Sequence, residues 1–169
     1  MIASPTLQPA ESIALATLSD TSLLDQTVEE VLGMMMGVPV SVSDTTVAPS
    51  NTPITITGVI GLAGALSGAF SVVINEIGAR QITASMMGMD EVPAIDDTVL
   101  DGIGEITNIL AGAWKLKIPS LSSACLLSVP TVVTGTQYDV HRKSSTFKLS
   151  RSYRFNDSAF TITICGEQT

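Results

Sequence analysis

Glu105 and Asn108 stand three residues apart in the run Asp101-Gly-Ile-Gly-Glu105-Ile-Thr-Asn108-Ile-Leu-Ala-Gly112, whose apolar spacing reads as helix. At about 100° per residue, Val99, Ile103, Ile106, Leu110 and Ala113 gather into one apolar stripe. Asp97, Asp101, Glu105 and Asn108 gather into a second stripe nearly opposite. Residues three apart on a helix are neighbours, so Glu105 and Asn108 form an acid–amide pair presented outward. The amide offers a donor and an acceptor together, which suits it to fixing the orientation of a water molecule.

A polar outer face is also what any amphipathic helix shows, and a solvated face is the simpler account. Glycine strains that account. Gly102, Gly104 and Gly112 each cost roughly 1 kcal/mol against alanine in a helix interior. Gly104 and Gly112 lie within or beside the polar stripe, which fits a face that another protein's backbone approaches closely. Small residues there would equally serve packing against the first helix.

The elements that must position this helix can be read along the chain. Residues 1–19, with Ser4, Pro5, Pro9 and Ser12, read as a flexible tail, and residues 20–169 as a single domain. A helix begins at Asp20 with Ser22 as its cap, carries Leu24, Val28, Val31, Leu32 and Met35 on one face, and stops at Gly37 before Pro39. Residues 43–53 read as loop. Two strands, Ile54 to Ile60 and Phe70 to Ile74, flank a Gly/Ala/Ser segment that reads as the turn of a hairpin. A short helix from Ala79 to Met87 ends at Gly88, and a longer one spans about Thr98 to Lys115, stopped before Pro119.

The last third reads as strands. Cys125 to Val133 contains Pro130, which predicts an edge position or a bulge. Phe147, Leu149, Tyr153 and Phe155 alternate with polar residues, and Arg151 interrupts the apolar face, which predicts a bulge or partial exposure there. Ser158 to Ile164 alternates again. The order α-β-β-α-α-β-β-β predicts an α+β fold, an antiparallel-rich sheet with helices packed on one face.

Composition narrows the functions. A net charge of -8 argues against a nucleic-acid surface. Six acids, Asp90, Glu91, Asp96, Asp97, Asp101 and Glu105, crowd into sixteen positions, as suits the start of a helix. No apolar stretch reaches the roughly 20 residues of a membrane helix. The start of the chain lacks the basic region of a signal peptide, and a cytoplasmic location is expected. Cys125 and Cys165 are isolated in apolar strands and read as free thiols, with no metal spacing. His141, the one histidine, lies in a polar run without a nucleophile beside it.

Taken together, these features resemble the CheC/CheX/FliY family of chemotaxis phosphatases. The family's signature is an acidic or serine residue, then Glu four positions on, Asn three further, and a proline some way beyond. Here these are Asp101, Glu105, Asn108 and Pro130, the last in Ser128-Val-Pro-Thr-Val-Val-Thr-Gly135 and 22 positions past Asn108. Gly58-Val-Ile-Gly-Leu-Ala-Gly64 with Leu66-Ser-Gly68 resembles the family's hairpin, as does Met86-Met-Gly88 before an acidic stretch. The likeness runs from about Leu23 to Ile164.

The resemblance implies a CheC-like fold and a hydrolase acting on the aspartyl-phosphate of a response-regulator receiver domain. It implies that Asn108 orients the attacking water and that Glu105 docks on the receiver's lysine. Asp101, Gly104 and Gly112 fall on the docking face, and Pro130 shapes the strand beside the site. No cofactor is expected on this chain, while Mg²⁺ is expected on the receiver. The first helix offers Asp25, Glu29 and Glu30 but no Asn three positions after either Glu. One site per chain is therefore expected, which favours the CheX-like branch and a homodimer. The competing expectation is a catalytically weak receiver-binding or scaffold module of the same fold.

Overall fold

The computed structural model describes residues 15–44, 54–136 and 145–168. One antiparallel sheet carries the fold, in the order β1-β6-β7-β3-β2-β4, with β5 also paired to β2. Its strands are β1 (Ser41–Ser43), β2 (Thr55–Gly64), β3 (Leu66–Asn75), β4 (Cys125–Leu127), β5 (Thr131–Gly135), β6 (Phe147–Phe155) and β7 (Ser158–Gln168). The helices are α1 (Leu15–Leu18), α2 (Thr21–Val28), α3 (Glu76–Met87), α4 (Asp97–Leu116) and α5 (Pro119–Ser122), and α2 continues as a π-helical segment, Glu29–Met35.

Alternation along the strands decides which face is covered. Phe70, Val72 and Ile74 of β3, Ile56 and Ile60 of β2, and Ile162 and Ile164 of β7 are all buried. They meet Val99, Ile103, Ile106, Leu110 and Trp114 of α4 and Leu24, Val28 and Leu32 of the first helix in one core. The opposite face is lined by small and hydroxyl side chains. There Ser150 pairs with Thr163 at 3.0 Å and Ser152 with Thr161 at 2.8 Å across β6 and β7. This is the α+β arrangement expected from the sequence.

Several local expectations change. The cap of α2 is Asp20, whose carboxylate accepts from the Ser22 amide at 2.9 Å, and Ser22 lies inside the first turn. Both residue types can cap, and the aspartate, one step outside the helix, reaches the free N–H. Of the expected tail, residues 1–14 lie outside the described residues. Leu15–Leu18 instead form a helical turn lying against β6, with Leu18 fully buried. Ser41–Ser43, expected within or beside a loop, pairs with β6, while residues 45–53 and the His141 run lie outside the described residues.

The hairpin is longer than its apolar residues suggest, because Gly61 and Gly68 are strand positions. A Cβ on Gly68 would collide with the Cys165 carbonyl of β7, so the close strand approach requires glycine there. Arg151 is partly exposed, as expected, and causes no bulge, since the β6–β7 register runs unbroken from Phe147↔Gly166 to Phe155↔Ser158. Its guanidinium reaches Asp25 of α2, with Nε 2.8 Å from Oδ1 and an Nη 2.7 Å from Oδ2. The Tyr153 hydroxyl donates to the same carboxylate at 2.8 Å, so a charged residue on the apolar face ends in a satisfied network.

Candidate functional site

α4 is fixed at both ends before any chemistry is considered. Asp96 caps it, accepting from the Val99 amide at 3.2 Å, and Asp97 adds negative charge at the positive end of the helix. Pro119 then opens α5 just after α4 ends. Trp114 is fully buried in the last turn, its ring centroid 6.1 Å from that of Phe70. Near the middle, Thr107 is buried against β2 and its hydroxyl donates to the Ile103 carbonyl at 2.7 Å. A Cβ on Gly58 of β2 would collide with that hydroxyl, so glycine at Gly58 lets the helix lie close to the sheet.

A helix seated this way has one free face. Asp101 and Glu105 are exposed and Asn108 is half-buried. Among the described residues none of the three side chains has a hydrogen-bond or ion-pair partner. The acid and the amide therefore stand side by side with their bonding capacity unspent, on a backbone that packing holds still.

Of the three glycines of α4, one is required by packing inside the chain. A Cβ on Gly102 would press on Thr83 of α3, with its hydroxyl oxygen at 2.7 Å, so Gly102 sets the spacing of α3 and α4. Gly104, expected on the docking face, is buried, with Val132 and Pro130 side chains at 3.4 and 3.5 Å from the place of its Cβ. Gly112 is half-buried and has only Leu127, at 4.0 Å. Close packing within the molecule thus requires glycine at Gly102, whereas Gly104 and Gly112 each have room for a methyl group.

Pro130 sits in a bulge at the sheet edge, as its sequence context predicts. Leu62 pairs with Leu127 and Val59 with Thr131, so Ile60 and Gly61 oppose three residues, Ser128, Val129 and Pro130. Ser128 fastens the bulge. Its hydroxyl accepts from the Gly61 amide at 2.8 Å and donates to the Val129 carbonyl at 2.9 Å, and its amide donates to the Gly61 carbonyl at 2.9 Å. Sequence reasoning passed over Ser128, Thr107 and Trp114. A serine two residues before a proline inside a strand was the available signal for the first.

Other groups stand apart from this face. A cleft of about 460 Å³ lies between the first helix and β1, lined by Asp25, Glu29, Met34, Val40 and Val42 among others, and includes no residue of α4. Cys125 is buried and its thiol is pushed upward by burial, while Cys165 is half-buried; both are free. Among the described residues no group of three or more His, Cys, Asp or Glu could hold a metal ion. Among the same residues no helix is long and apolar enough to cross a membrane.

Known proteins match this chain over most of its length. Residues 56–150 match the family described as chemotaxis phosphatase CheX. The CheY-P phosphatase CheX of Thermotoga maritima is 28% identical over 137 residues, 81% of this chain and 86% of that protein. A CheX chemotaxis protein from Desulfovibrio desulfuricans has the same fold, with a TM-score of 0.71, 20% identity and coverage of 92% of this chain and 100% of that one. So has the CheX of a Borrelia burgdorferi complex of CheX, CheY, BeF3 and Mg²⁺, with a TM-score of 0.67, 14% identity and coverage of 88% and 97%.

Proposed function

The chain belongs to the chemotaxis phosphatase CheX family, and from that premise we propose that it hydrolyses the aspartyl-phosphate of a response-regulator receiver domain through Glu105 and Asn108. The observation that carries this reading is the outward acid–amide pair on α4, without a partner among the described residues. The relative from Thermotoga maritima is a CheY-P phosphatase, and the Borrelia burgdorferi protein was solved with CheY, a phosphoryl mimic and Mg²⁺.

The chemistry needs little from this chain. Hydrolysis of an acyl phosphate requires a water on the far side of phosphorus from the leaving carboxylate. The water oxygen bonds to phosphorus, the bond from phosphorus to the aspartyl oxygen breaks, and the products are a free carboxylate and inorganic phosphate. The Asn108 carboxamide accepts from that water with its oxygen or donates with its nitrogen, which holds the attacking lone pair in line. The Glu105 carboxylate pairs with the receiver's lysine and sets Asn108 in register. Charge on the phosphoryl group is met by that lysine and by Mg²⁺ on the receiver, so no metal is required on this chain.

Asp101, one turn before Glu105, lies on the same exposed face and extends the docking surface. Pro130 supports the helix at Gly104 and takes no part in the chemistry. We propose in addition that the protein is cytoplasmic and forms a homodimer presenting two sites, which sedimentation at micromolar concentration would test.

The deciding measurement is the decay of a phosphorylated receiver domain from the same organism. Wild-type protein should accelerate it, and the double variant Glu105→Ala/Asn108→Ala should not. Binding without acceleration would replace this reading with that of a receiver-binding module.

A further inference from the structure

Val129 is the most exposed large apolar residue of the described structure, 83% accessible, and it lies in the bulge of the sheet edge that packs beside α4. The bulge runs alongside the helix in the opposite sense, because Leu127 meets Gly112 and Pro130 meets Gly104. Val129 lies between these two contacts and next to Pro130, so it falls alongside the part of α4 that runs on from Gly104.

A lone exposed valine needs no explanation by itself. This one differs in how firmly it is held. The residue before it makes three hydrogen bonds, two of them to Gly61 across the ladder, and the residue after it is a proline packed on Gly104. An apolar side chain on so constrained a segment loses little conformational freedom when a partner covers it, which is the condition for a binding anchor.

Resting on the function proposed above, we infer that Val129 is the apolar anchor of receiver docking, packing on the loops that rim the phosphoaspartate while Glu105 and Asn108 enter it. The site then has two parts, a polar pair that does the chemistry and an apolar contact that supplies affinity and selects among receivers. A valine of this exposure contributes affinity through the apolar area that docking removes from water.

The test uses the full chain and a receiver whose decay the wild-type protein accelerates. Val129→Thr keeps the shape and strand preference of the residue and makes its surface polar. It should raise KM for the phosphorylated receiver about tenfold while kcat stays within about twofold, and Val129→Ile should restore the wild-type KM. Met34→Thr, at an equally exposed apolar residue in the other cleft, should change neither constant, and thermal melts should show all three variants folded. An unchanged KM in a folded Val129→Thr protein overturns the inference and leaves the phosphatase reading intact. A loss confined to kcat also overturns it, since Val129 would then act on alignment of the reacting groups. Absence of acceleration by the wild-type protein with every receiver would remove the phosphatase reading and this inference with it.

Discussion

Pro130 rests on Gly104, its Cγ 3.5 Å from where a side chain would begin, and Gly104 immediately precedes Glu105. The sheet edge therefore packs on the helix one residue from the carboxylate proposed to dock the receiver.

This contact separates two explanations of Gly104. A methyl group there would sit at ordinary contact distance from Val132 and Pro130, and alanine is the better helix former. Gly104→Ala should raise stability by about 0.5–1 kcal/mol in urea denaturation and leave the rate of receiver dephosphorylation within about twofold. A stabilised but inactive variant would show that the partner needs the glycine. Gly104→Leu should displace Pro130 and lower stability by about 1–3 kcal/mol.

Gly58 has no such room. Any side chain there meets the Thr107 hydroxyl under the centre of α4, so Gly58→Ala should destabilise by about 1–3 kcal/mol. Thr107→Ala in the same protein should recover part of that loss. A double-mutant cycle on denaturation midpoints measures the coupling, and additive effects would mean that the helix rests elsewhere.

The proposed roles of Glu105 and Asn108 predict a division of labour. Asn108→Ala should lower kcat by about a hundredfold or more with little change in receiver affinity, because it removes the water-orienting group. Glu105→Gln should chiefly raise KM, because it removes the charge that meets the receiver's lysine. Neither should shift the melting temperature by more than a degree or two, since neither side chain has a partner among the described residues. Full activity in Asn108→Ala would refute the assignment.

The Asp25 network should set the acid limit of stability. Burial raises the Asp25 pKa, and the hydrogen bonds from Arg151 and Tyr153 with the Arg151 charge more than reverse it, leaving it below 3.8. A carboxylate depressed on folding stabilises the protein above its unfolded pKa, and that contribution disappears as pH falls through the folded value. Tyr153 is displaced upward, first by burial and then by its bond to Asp25. Its contribution is present below the unfolded value near 10 and disappears at higher pH. Arg151→Met removes the guanidinium that opposes burial and so raises the Asp25 pKa toward or above its unfolded value, and the stability lost on acidification should be smaller than in wild type. Tyr153→Phe should cost about 1 kcal/mol near neutral pH. Stability–pH curves from denaturant titrations check both, and superimposable acid limbs would deny the network its role.

What was legible in the sequence follows from how local the cause is. The helix of Glu105 and Asn108 could be read because its buried stripe, its acidic start and the proline after it are all short-range signals. The pairing of Arg151 with Asp25 could not, since 126 residues separate them and a charge on an apolar face predicts only a disturbance. Gly104 and Gly112 pointed toward a partner because periodicity places them near the polar stripe. Pro130 and Val132, which lie over Gly104, come from the sheet edge, and Thr83, which excludes a side chain at Gly102, comes from α3, all far away in the chain. Ser128 escaped notice because its role depends on a register mismatch with β2, which appears only once the strands are paired.

The position of β7 has a further consequence, for synthesis. It is the last strand described, yet it lies between β3 and β6 in the middle of the sheet. A ribosome that has delivered every residue through β6 has already made the helix bearing Glu105 and Asn108. Until β7 is in place, β3 lacks a partner along one edge, and Phe70 and Val72 lack the cover of Ile164 and Ile162, so the centre of the sheet closes only when this late strand pairs.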